Sequence, residues 1–339
     1  ARLFVAMYVR HETVLSSQIE GAQSTLEDVL VYEAGGAPPH PSPDVGEVVN
    51  YVRAMDHGLA RLNELPLSLR LIKEVHRELL AGVRGQERTP GEFRTSQNWI
   101  GPVGAALADA SFVPPPPHET TQALAEFESF LRDRDSLPVL IHAGLAHAQF
   151  ETIHPFLDGD GRVGRLLITL LLCERKILEQ PLLYLSYYFK ARRAEYYDRL
   201  AAVRTAGDWE GWLKFFLRGA FEVSQAATET SPAILALREA DAKKVDGLSS
   251  SANARRLLDL LFEQPVISVD AASARLRLTF ATTNALVGKF EEAGLVREVT
   301  GRRRNRRYLY QAYHDLFERQ MTGVSPDRPL DAPRNLSDA

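Results

Sequence analysis

Cysteine is almost absent from this chain of 339 residues, because Cys173 is its only thiol. An internal disulfide bond is therefore excluded, and a single thiol in an apolar stretch suits a reducing, cytoplasmic location. Long hydrophobic runs are also missing: no run reaches the roughly 18 apolar residues of a membrane span, so we expect no membrane partner. The first residues lack a signal-peptide pattern. They begin abruptly on the apolar Leu3-Phe4-Val5, which is consistent with truncation at the N-terminus.

A large excess of charge of one sign is lacking as well. Lys and Arg number 40 and Asp and Glu 44, a net charge of −4, so the whole chain has no general attraction for nucleic acid or anionic membranes. The length suits two domains. Apolar residues at three- and four-residue spacing predict helices at about 12–32, 44–63, 67–82, 119–134, 138–153, 164–179, 189–205 and 208–228.

The most informative stretch is residues 154–165, His-Pro-Phe-Leu-Asp-Gly-Asp-Gly-Arg-Val-Gly-Arg, which leads into an apolar helical run. Glycine N–H groups ahead of a helix N-terminus bind anions, because the amide dipoles and the helix dipole both favour negative charge. Arg162 and Arg165 are three apart on one helical face and can hold a polyphosphate together. Asp158 offers the hard oxygen that Mg²⁺ prefers. The stretch lacks the Gly-Lys-Ser/Thr ending of a P-loop, but it still predicts a nucleotide phosphate site.

These residues resemble the signature of the Fic family, His-Pro-Phe-x-Asp/Glu-Gly-Asn-Gly-Arg-x-x-Arg, at eleven of twelve positions. The resemblance implies a mainly α, Fic-type helical bundle that transfers AMP from ATP to a Ser, Thr or Tyr hydroxyl of a target protein, or of itself. It implies that His154 is the base and Asp158 holds Mg²⁺. It further implies a nucleotide site formed by Gly159, Asp160, Gly161, Arg162 and Arg165. Homodimers are common among such proteins.

Asp160 departs from the Fic pattern, which has Asn at this position. An ionised Asp repels phosphate and cannot donate a hydrogen bond. It can be accommodated by accepting backbone N–H bonds, by binding a cation, or by protonation near another carboxylate. We expect reduced but real activity, or a metal-dependent variation of it.

Residues 15–21, Leu-Ser-Ser-Gln-Ile-Glu-Gly, form the second informative segment. By itself it reads as an ordinary start of a helix. It also resembles the inhibitory motif of Fic proteins, Ser/Thr-x-x-x-Glu-Gly/Asn, with Ser16 and Glu20 in the matching positions. The resemblance implies that Glu20 pairs with Arg165, which then cannot bind the ATP γ-phosphate.

Two further segments fit the same interpretation. Residues 91–101 alternate polar and apolar side chains between Pro-Gly and Gly-Pro, which predicts a short exposed hairpin. The resemblance implies that it is a flap that docks the target by β-addition, with Thr95, Ser96 and Gln97 at its centre. The alternative is a hairpin without contacts. Tyr188 could form an aromatic wall for adenine, although aromatic residues at helical spacing more often belong to a core.

The domain organisation follows from these patterns. We expect a Fic domain with its inhibitory helix at 1–230, a linker or connecting helix at 231–250, a winged helix-turn-helix at 251–312, and a partly disordered tail at 313–339.

The C-terminal unit has the order helix, helix, helix, strand, basic turn, strand. Its residues 251–310 contain 11 Lys and Arg and 6 Asp and Glu, a net charge of +5, against −9 for the rest. Such segregation is typical of phosphate-backbone binding, with Arg302, Arg303 and Arg304 in the wing. Thr282, Thr283 and Asn284 could read DNA bases from the third helix. The alternative role for this unit is packing, dimerisation or docking of the target.

Two functions from different classes therefore remain open. The first is a protein adenylyltransferase restrained by Glu20. The second is a DNA-binding transcriptional regulator whose Fic-like domain senses nucleotide with weak transfer activity. His154 favours the enzyme, because a sensor needs no base beside the phosphates, whereas Asp160 keeps the regulator open.

Overall fold

The computed structural model describes residues 2–37, 43–101, 106–248 and 252–323. These residues are mainly helical, as the sequence patterns predict. The helices are α1 Arg2–Ile19, α2 Leu26–Glu33, α3 Val45–Arg61, α4 Leu69–Leu79, α5 Pro117–Arg132, α6 Val139–Ile153, α7 Asp160–Glu174, α8 Leu185–Ala191, α9 Arg193–Ala206, α10 Trp209–Leu248, α11 Ala252–Glu263, α12 Val269–Leu276, α13 Phe280–Glu292 and α14 Gln311–Gly323. In these ranges no helix is long and apolar enough to cross a membrane.

The single helix predicted at 12–32 is two helices with a turn between them. At the end of α1 the Ala22 N–H donates to the Ser17 carbonyl and the Gly21 N–H to the Gln18 carbonyl, each at 3.1 Å. This bonding pattern ends a helix with a left-handed residue, and Gly21 supplies it with φ +96°. Glu20 is therefore at the end of a helix, whereas the sequence alone allowed the start of one. Thr25 and Asp28 then cap α2 reciprocally.

Aromatic side chains fill the core where α8, α9 and α10 meet α6. Phe189 stacks on Tyr196 with ring centroids 4.7 Å apart, and Trp212 donates its indole N–H to the Gly144 carbonyl at 2.8 Å. His147 is also satisfied in this core by the Gly164 carbonyl and the Tyr196 hydroxyl, each at 2.9 Å. This packing fixes α6 and α7, the two helices that flank the motif.

The C-terminal unit contains α11 to α14 and a three-stranded antiparallel sheet. The strands are β1 Val266–Ser268, β2 Arg297–Glu298 and β3 Arg307–Leu309, in the order β1-β3-β2. Strand β1 is absent from the prediction, and the winged-helix assignment itself stays a prediction.

Two expectations for this part of the chain need correction. Thr283 cannot read bases, because its side chain is buried and its hydroxyl bonds the Thr279 carbonyl at 3.0 Å. The tail predicted from 313 begins too early, because α14 extends to Gly323, and residues 324–339 lie outside the described residues. Of the two alternatives expected at 231–250, a linker or a connecting helix, the described residues up to Leu248 form the helix, as the second half of α10, which begins at Trp209.

The C-terminal unit packs against α1 and α2. Tyr8 of α1 meets Phe317 of α14 edge to face, with ring centroids 5.1 Å apart. At the base of the basic turn, Arg307 donates to the Ala34 carbonyl at 2.7 Å and to the Gly35 carbonyl at 2.9 Å, at the end of α2. The helix that carries Glu20 therefore contacts both units.

Gly21→Ala tests the turn that positions Glu20. A Cβ at Gly21 would meet no atom within 4 Å, so the penalty comes from the backbone alone and is about 1–2 kcal/mol for a left-handed residue. The matched control is Gly247→Ala in α10, where a Cβ is also unopposed and helix propensity predicts a gain of roughly 0.5–1 kcal/mol. Urea unfolding measures both changes. Shifts of the same sign in the two variants would contradict the strained turn.

Candidate active site

The motif forms a tight loop between α6 and α7. His154 ends α6 in the left-handed conformation with φ 48°, and Gly159 precedes α7 with φ +85°. Between them Phe156 is fully buried, and its ring stacks on His76 with centroids 3.7 Å apart and planes 7° from parallel. The apolar residue of the motif therefore fastens the loop to α4.

His76 is a loop-positioning residue that the sequence analysis missed. Its Nδ1 accepts the Gly91 N–H at 2.8 Å, so the other ring nitrogen carries the proton and donates to the Asp158 carbonyl at 2.9 Å. Burial lowers the pKa of His76 to about 4, with Arg162 and Arg77 adding to this effect, which keeps the ring neutral at pH 7. No short motif marks His76, because it lies 82 residues from its partner.

The segment around Arg94 covers the other side of the loop. Arg94 Nε donates to the His154 carbonyl at 2.9 Å and its backbone N–H donates to the Pro155 carbonyl at 2.9 Å. Asn98 Nδ2 donates to the Phe156 carbonyl at 2.7 Å. Successive carbonyls of the motif loop are thus bonded by residues 94–98, which explains how the loop keeps its shape without secondary structure.

The predicted hairpin is placed differently from the expectation. Residues 91–99 form no strand, and an isolated antiparallel bridge instead joins Ile100 to Phe112. The Ile100 N–H donates to the Phe112 carbonyl at 2.8 Å. Thr95 and Ser96 are exposed beside the motif loop, whereas Gln97 donates to the Pro114 carbonyl at 3.0 Å. The segment is placed beside the site, but the backbone pairing lies at its far end.

His154 is a neutral imidazole in this site. Burial and the nearby Arg204 lower its pKa to about 4, although Glu20 and the Glu151 carbonyl act in the opposite direction. Its Nε2 lies 3.2 Å from Oδ2 of Asp160. At pH 7 the ring is therefore unprotonated and can accept a proton.

Asp160 is turned away from the position where phosphate is expected. Its side chain is fully buried, and Oδ1 accepts the Phe156 N–H at 2.9 Å. Burial raises the pKa of Asp160 well above its ordinary value, against the Phe156 N–H and Arg94 and with help from Glu151 and Asp158. The expectation that its side chain binds nucleotide does not hold in this conformation. The buried carboxyl instead accepts from the loop backbone, one of the accommodations considered above.

The Arg165 side chain is buried, and its hydrogen-bond partners come from α1 and the residue that follows it. Its Nε donates to the Ser16 hydroxyl at 2.7 Å, and its Nη2 donates to the Ser16 carbonyl at 3.1 Å and to Glu20 Oε1 at 2.8 Å. A Cβ on Gly161 would overlap Glu20 Oε1, so the carboxylate lies directly over the motif glycine. Burial opposes ionisation of Glu20, but Arg165 outweighs it and the pKa of Glu20 falls below its usual value. A carboxylate thus lies in the predicted anion site.

Arg162 does not share that role with Arg165 in this conformation. Its Nη1 donates to Glu47 Oε2 at 3.0 Å, and both side chains are 6% exposed. Its Nη2 lies 3.6 Å from Oδ1 of Asp158. Glu47 is a second residue that the sequence analysis missed. The one signal for it was an acid among the apolar residues that begin α3.

Asp158 is the expected metal ligand, and 39% of its side chain is exposed. In the described ranges no three His, Cys, Asp or Glu residues cluster as a metal site. Mg²⁺ commonly binds one carboxylate together with substrate phosphates and water. The position of Asp158 is compatible with that use, in which one carboxylate acts together with substrate phosphates and water.

Tyr188 is wrong as an adenine wall. It is 2% exposed, packs against Phe215 with centroids 4.9 Å apart, and leaves no room for a Cβ on Gly219. Tyr197 is a better candidate, because it is 38% exposed and lies close enough to Glu20 to feel its charge. Burial, with Glu20 adding to it, raises the pKa of Tyr197 to about 12.

Comparison with known proteins identifies the architecture around this site. The pattern of the Fic/DOC family N-terminal region matches residues 1–60, and that of the Fic/DOC family matches residues 66–172. The chain belongs to the Fic family. Both informative sequence segments, around Glu20 and around His154, lie inside the matched regions.

Similar proteins include a probable protein adenylyltransferase of Aquifex aeolicus, 28% identical over 196 residues, which are 56% of each chain. A protein adenylyltransferase Fic of Drosophila grimshawi is 35% identical over 130 residues, 36% of this chain and 25% of that protein. The chain thus spans about half the length of the Aquifex aeolicus protein and a quarter of the length of the Drosophila grimshawi protein.

Two solved structures are also similar. A Fic family protein from Desulfovibrio desulfuricans has a TM-score of 0.59 at 19% identity, covering 90% of this chain and 86% of its own. Fic-1 from C. elegans has a TM-score of 0.51 at 25% identity, covering 67% and 64%. The first similarity shows a shared fold alone.

Asp160→Asn tests whether the buried carboxyl is neutral. Native Asp160 binds its proton more tightly than the unfolded chain does, so wild-type stability falls as pH rises above about 4, the ordinary aspartate value. Asparagine has no proton to lose. Its advantage in free energy of unfolding should therefore grow with pH, to roughly 1–3 kcal/mol near pH 8. Urea unfolding across this pH range measures the margin.

Asp133→Asn is a control with the opposite sign. The Ser136 hydroxyl and two backbone N–H groups lower the pKa of Asp133, so wild type gains relative stability as pH rises through the acid range. A margin for Asp160→Asn that is the same at pH 4 and pH 8 would show that native Asp160 does not hold an extra proton.

Proposed function

We propose that this protein is a protein adenylyltransferase that transfers AMP from ATP to a Ser, Thr or Tyr hydroxyl, and that Glu20 restrains it. One observation carries the proposal: a neutral His154 lies on the same short loop as an anion site that already binds a carboxylate. Relatives named protein adenylyltransferase support this class of reaction. A phosphate-binding site needs no adjacent base, whereas attack by a hydroxyl does.

The chemistry requires one proton acceptor and a bound polyphosphate. The target hydroxyl oxygen forms a bond to the α-phosphorus, the bond from that phosphorus to the bridging oxygen breaks, and pyrophosphate leaves. The hydroxyl proton passes to His154, which is unprotonated at pH 7. The transition state is stabilised mainly by positioning and by charge neutralisation. The N–H groups at Gly159–Gly161 and the Arg165 guanidinium therefore supply most of the protein's stabilisation of it.

Asp158 would hold Mg²⁺ beside the phosphates. The bound ion would supply charge neutralisation for the phosphate oxygens. Arg162 would remain tied to Glu47 at 3.0 Å and would then act as a fixed positive charge behind the loop. Thr95 and Ser96 are exposed next to the loop and are candidates for contact with the target backbone. Homodimer formation, implied by the resemblance, stays a prediction.

Restraint follows from competition for one guanidinium. Arg165 uses Nη2 for the Glu20 carboxylate, and that carboxylate lies over Gly161, where a phosphate of ATP is expected. Both anions cannot occupy this space. ATP therefore binds in a transfer-competent position only when Glu20 leaves. The rate of AMP transfer is then proportional to the fraction of molecules in the open state.

Intact mass after incubation with ATP and Mg²⁺ tests the enzyme. Glu20→Gly should accelerate self-labelling by AMP on the order of 10- to 100-fold, because it removes a hydrogen-bonded ion pair from Arg165. Glu20→Gln, which keeps the size and loses the charge, should fall between wild type and Glu20→Gly. Adding His154→Ala to Glu20→Gly should abolish labelling. No labelling in any variant that still binds ATP would reject transfer and favour the nucleotide sensor.

A second candidate function is DNA binding by the C-terminal unit, and one observation favours it. Arg302, Arg303 and Arg304 are exposed between β2 and β3, and among the described residues none of the three forms an ion pair. Arg306 is exposed beside them and stacks on Tyr308 at 5.3 Å. Thr282 and Asn284 remain exposed on α13, while Thr283 is buried. Unpaired arginines on a hairpin are suited to phosphate contacts.

Fluorescence anisotropy with a mixed-sequence duplex tests this surface. Replacing Arg302, Arg303 and Arg304 by Gln should weaken binding and reduce the slope of log affinity against log salt by about 1 per lost phosphate contact. The control replaces three exposed arginines of the Fic domain, Arg70, Arg132 and Arg134, by Gln. An equal loss in both triple variants would reject a specific role for the wing.

A further inference from the structure

A polar contact from α9 holds the residue directly before Glu20. Arg193, the first residue of α9, donates its Nε–H to the Ile19 carbonyl at 2.8 Å. Ile19 is the last residue of α1, and its carbonyl is one of the four that a helix C-terminus leaves without an intrahelical partner. A guanidinium at this position satisfies the carbonyl and also neutralises the negative end of the helix dipole.

The orientation of Arg193 is itself fixed. Its guanidinium lies over the Tyr197 ring at 5.1 Å, one helical turn along α9. Tyr197 is close to Glu20 and Arg165, as their effects on its pKa show. Arg193 thus connects the end of the inhibitory helix to the aromatic residue beside the anion site, and no part of the proposed transfer chemistry uses it.

Other contacts hold α1 at points further from Glu20. Glu12 accepts from the Ser186 backbone N–H at 3.2 Å, two helical turns before Glu20. Lys190 Nζ donates to the Gln18 side chain at 2.6 Å. These bonds fix the helix body, whereas Arg193 bonds the backbone unit that immediately precedes Glu20. A change at Arg193 therefore alters the position of Glu20 with the least effect on the rest of α1.

We propose that Arg193 is a positioning residue that holds Glu20 in the anion site through the Ile19 carbonyl, and so sets how often the site is open to ATP. This inference rests on the proposed function, in which Glu20 and a phosphate compete for Arg165. Arg193 does not touch the reacting atoms. Its effect must therefore disappear when Glu20 is absent.

A double-mutant cycle tests this dependence. Arg193→Ala alone should raise the AMP-labelling rate about 3- to 10-fold and tighten ATP binding by a similar factor, as expected for loss of one charge-assisted bond at a helix end. In the Glu20→Gly background the same substitution should change neither quantity. Reduced labelling or weaker ATP binding in that background would show that Arg193 serves the nucleotide directly and would overturn the proposal.

Two controls separate positioning from general destabilisation. Arg199→Ala removes an arginine from the same helix that pairs only with Glu195 and Asp208 among the described residues, and it should leave labelling unchanged. Arg193→Lys should restore most of the restraint, because the bonding atom of Arg193 is Nε, which a lysine Nζ can reach. Failure of lysine to restore any restraint would contradict the carbonyl bond as the cause.

Amide hydrogen exchange gives a measurement that does not depend on catalysis. The N–H groups of Glu20, Gly21 and Ala22 bond the last carbonyls of α1, so they should exchange faster in Arg193→Ala and remain as in wild type in Arg199→Ala. If Glu20→Gly shows no transfer, the proposed function fails, but ATP affinity and exchange still decide the role of Arg193. Unchanged exchange at all three positions would reject it.

Discussion

The buried guanidinium of Arg165 is the group on which the arrangement of the site depends. Its side chain is 1% exposed, so leaving it without partners would be strongly unfavourable, because a buried unpaired charge costs several kcal/mol. The fold solves this by bringing Ser16 and Glu20 from a helix 145 or more residues away in sequence. When those partners leave, an anion of matching geometry must replace them. Under the proposed function, the same charge therefore stabilises the closed state and binds polyphosphate in the open one.

This requirement orders the surrounding structure. The helix that supplies Glu20 must end at that residue, which the glycine at position 21 allows, and its end must be held, which Arg193 does. On the other side of the anion site the motif loop must keep its shape. The stacking of His76 on Phe156 and the bonds from Arg94 accomplish this without relying on secondary structure.

Much of the fold and of the site could be predicted from the sequence, because the informative residues lie close together in short segments. The twelve-residue motif contains the proposed base His154, the glycines and Arg165, and a local pattern is enough to find them. The helical ranges also follow from spacing, except where capping decides the boundary. Residues 12–32 read as one helix because the apolar spacing continues through the turn, whereas Gly21 and Thr25 break it.

The remaining parts depend on contacts between distant segments. Glu47 meets Arg162 across 115 residues, and although an acid among apolar residues marks Glu47, no local signal indicates that Arg162 is its partner. Tyr188 and Tyr197 are both aromatic residues at helical spacing, and only packing shows that the first belongs to the core and the second borders the site. The resemblance implies that Asp160 lies at the phosphates, but a carboxyl without a cation partner is more stable when it accepts a backbone N–H, as Asp160 does from Phe156.

The 40-residue helix α10 has a consequence for how the chain can be dissected. Its first half contributes Trp212 to the core of the Fic domain, and its second half contributes Ile234, Val245 and the buried Asp241, which accepts from the Tyr310 hydroxyl at 2.6 Å. A fragment cut near residue 230 would end inside this helix and would leave each piece with an uncovered apolar stripe. Because α10 belongs to the cores of both units, a shortened recombinant form should keep α10 whole and retain the C-terminal helices that cover it.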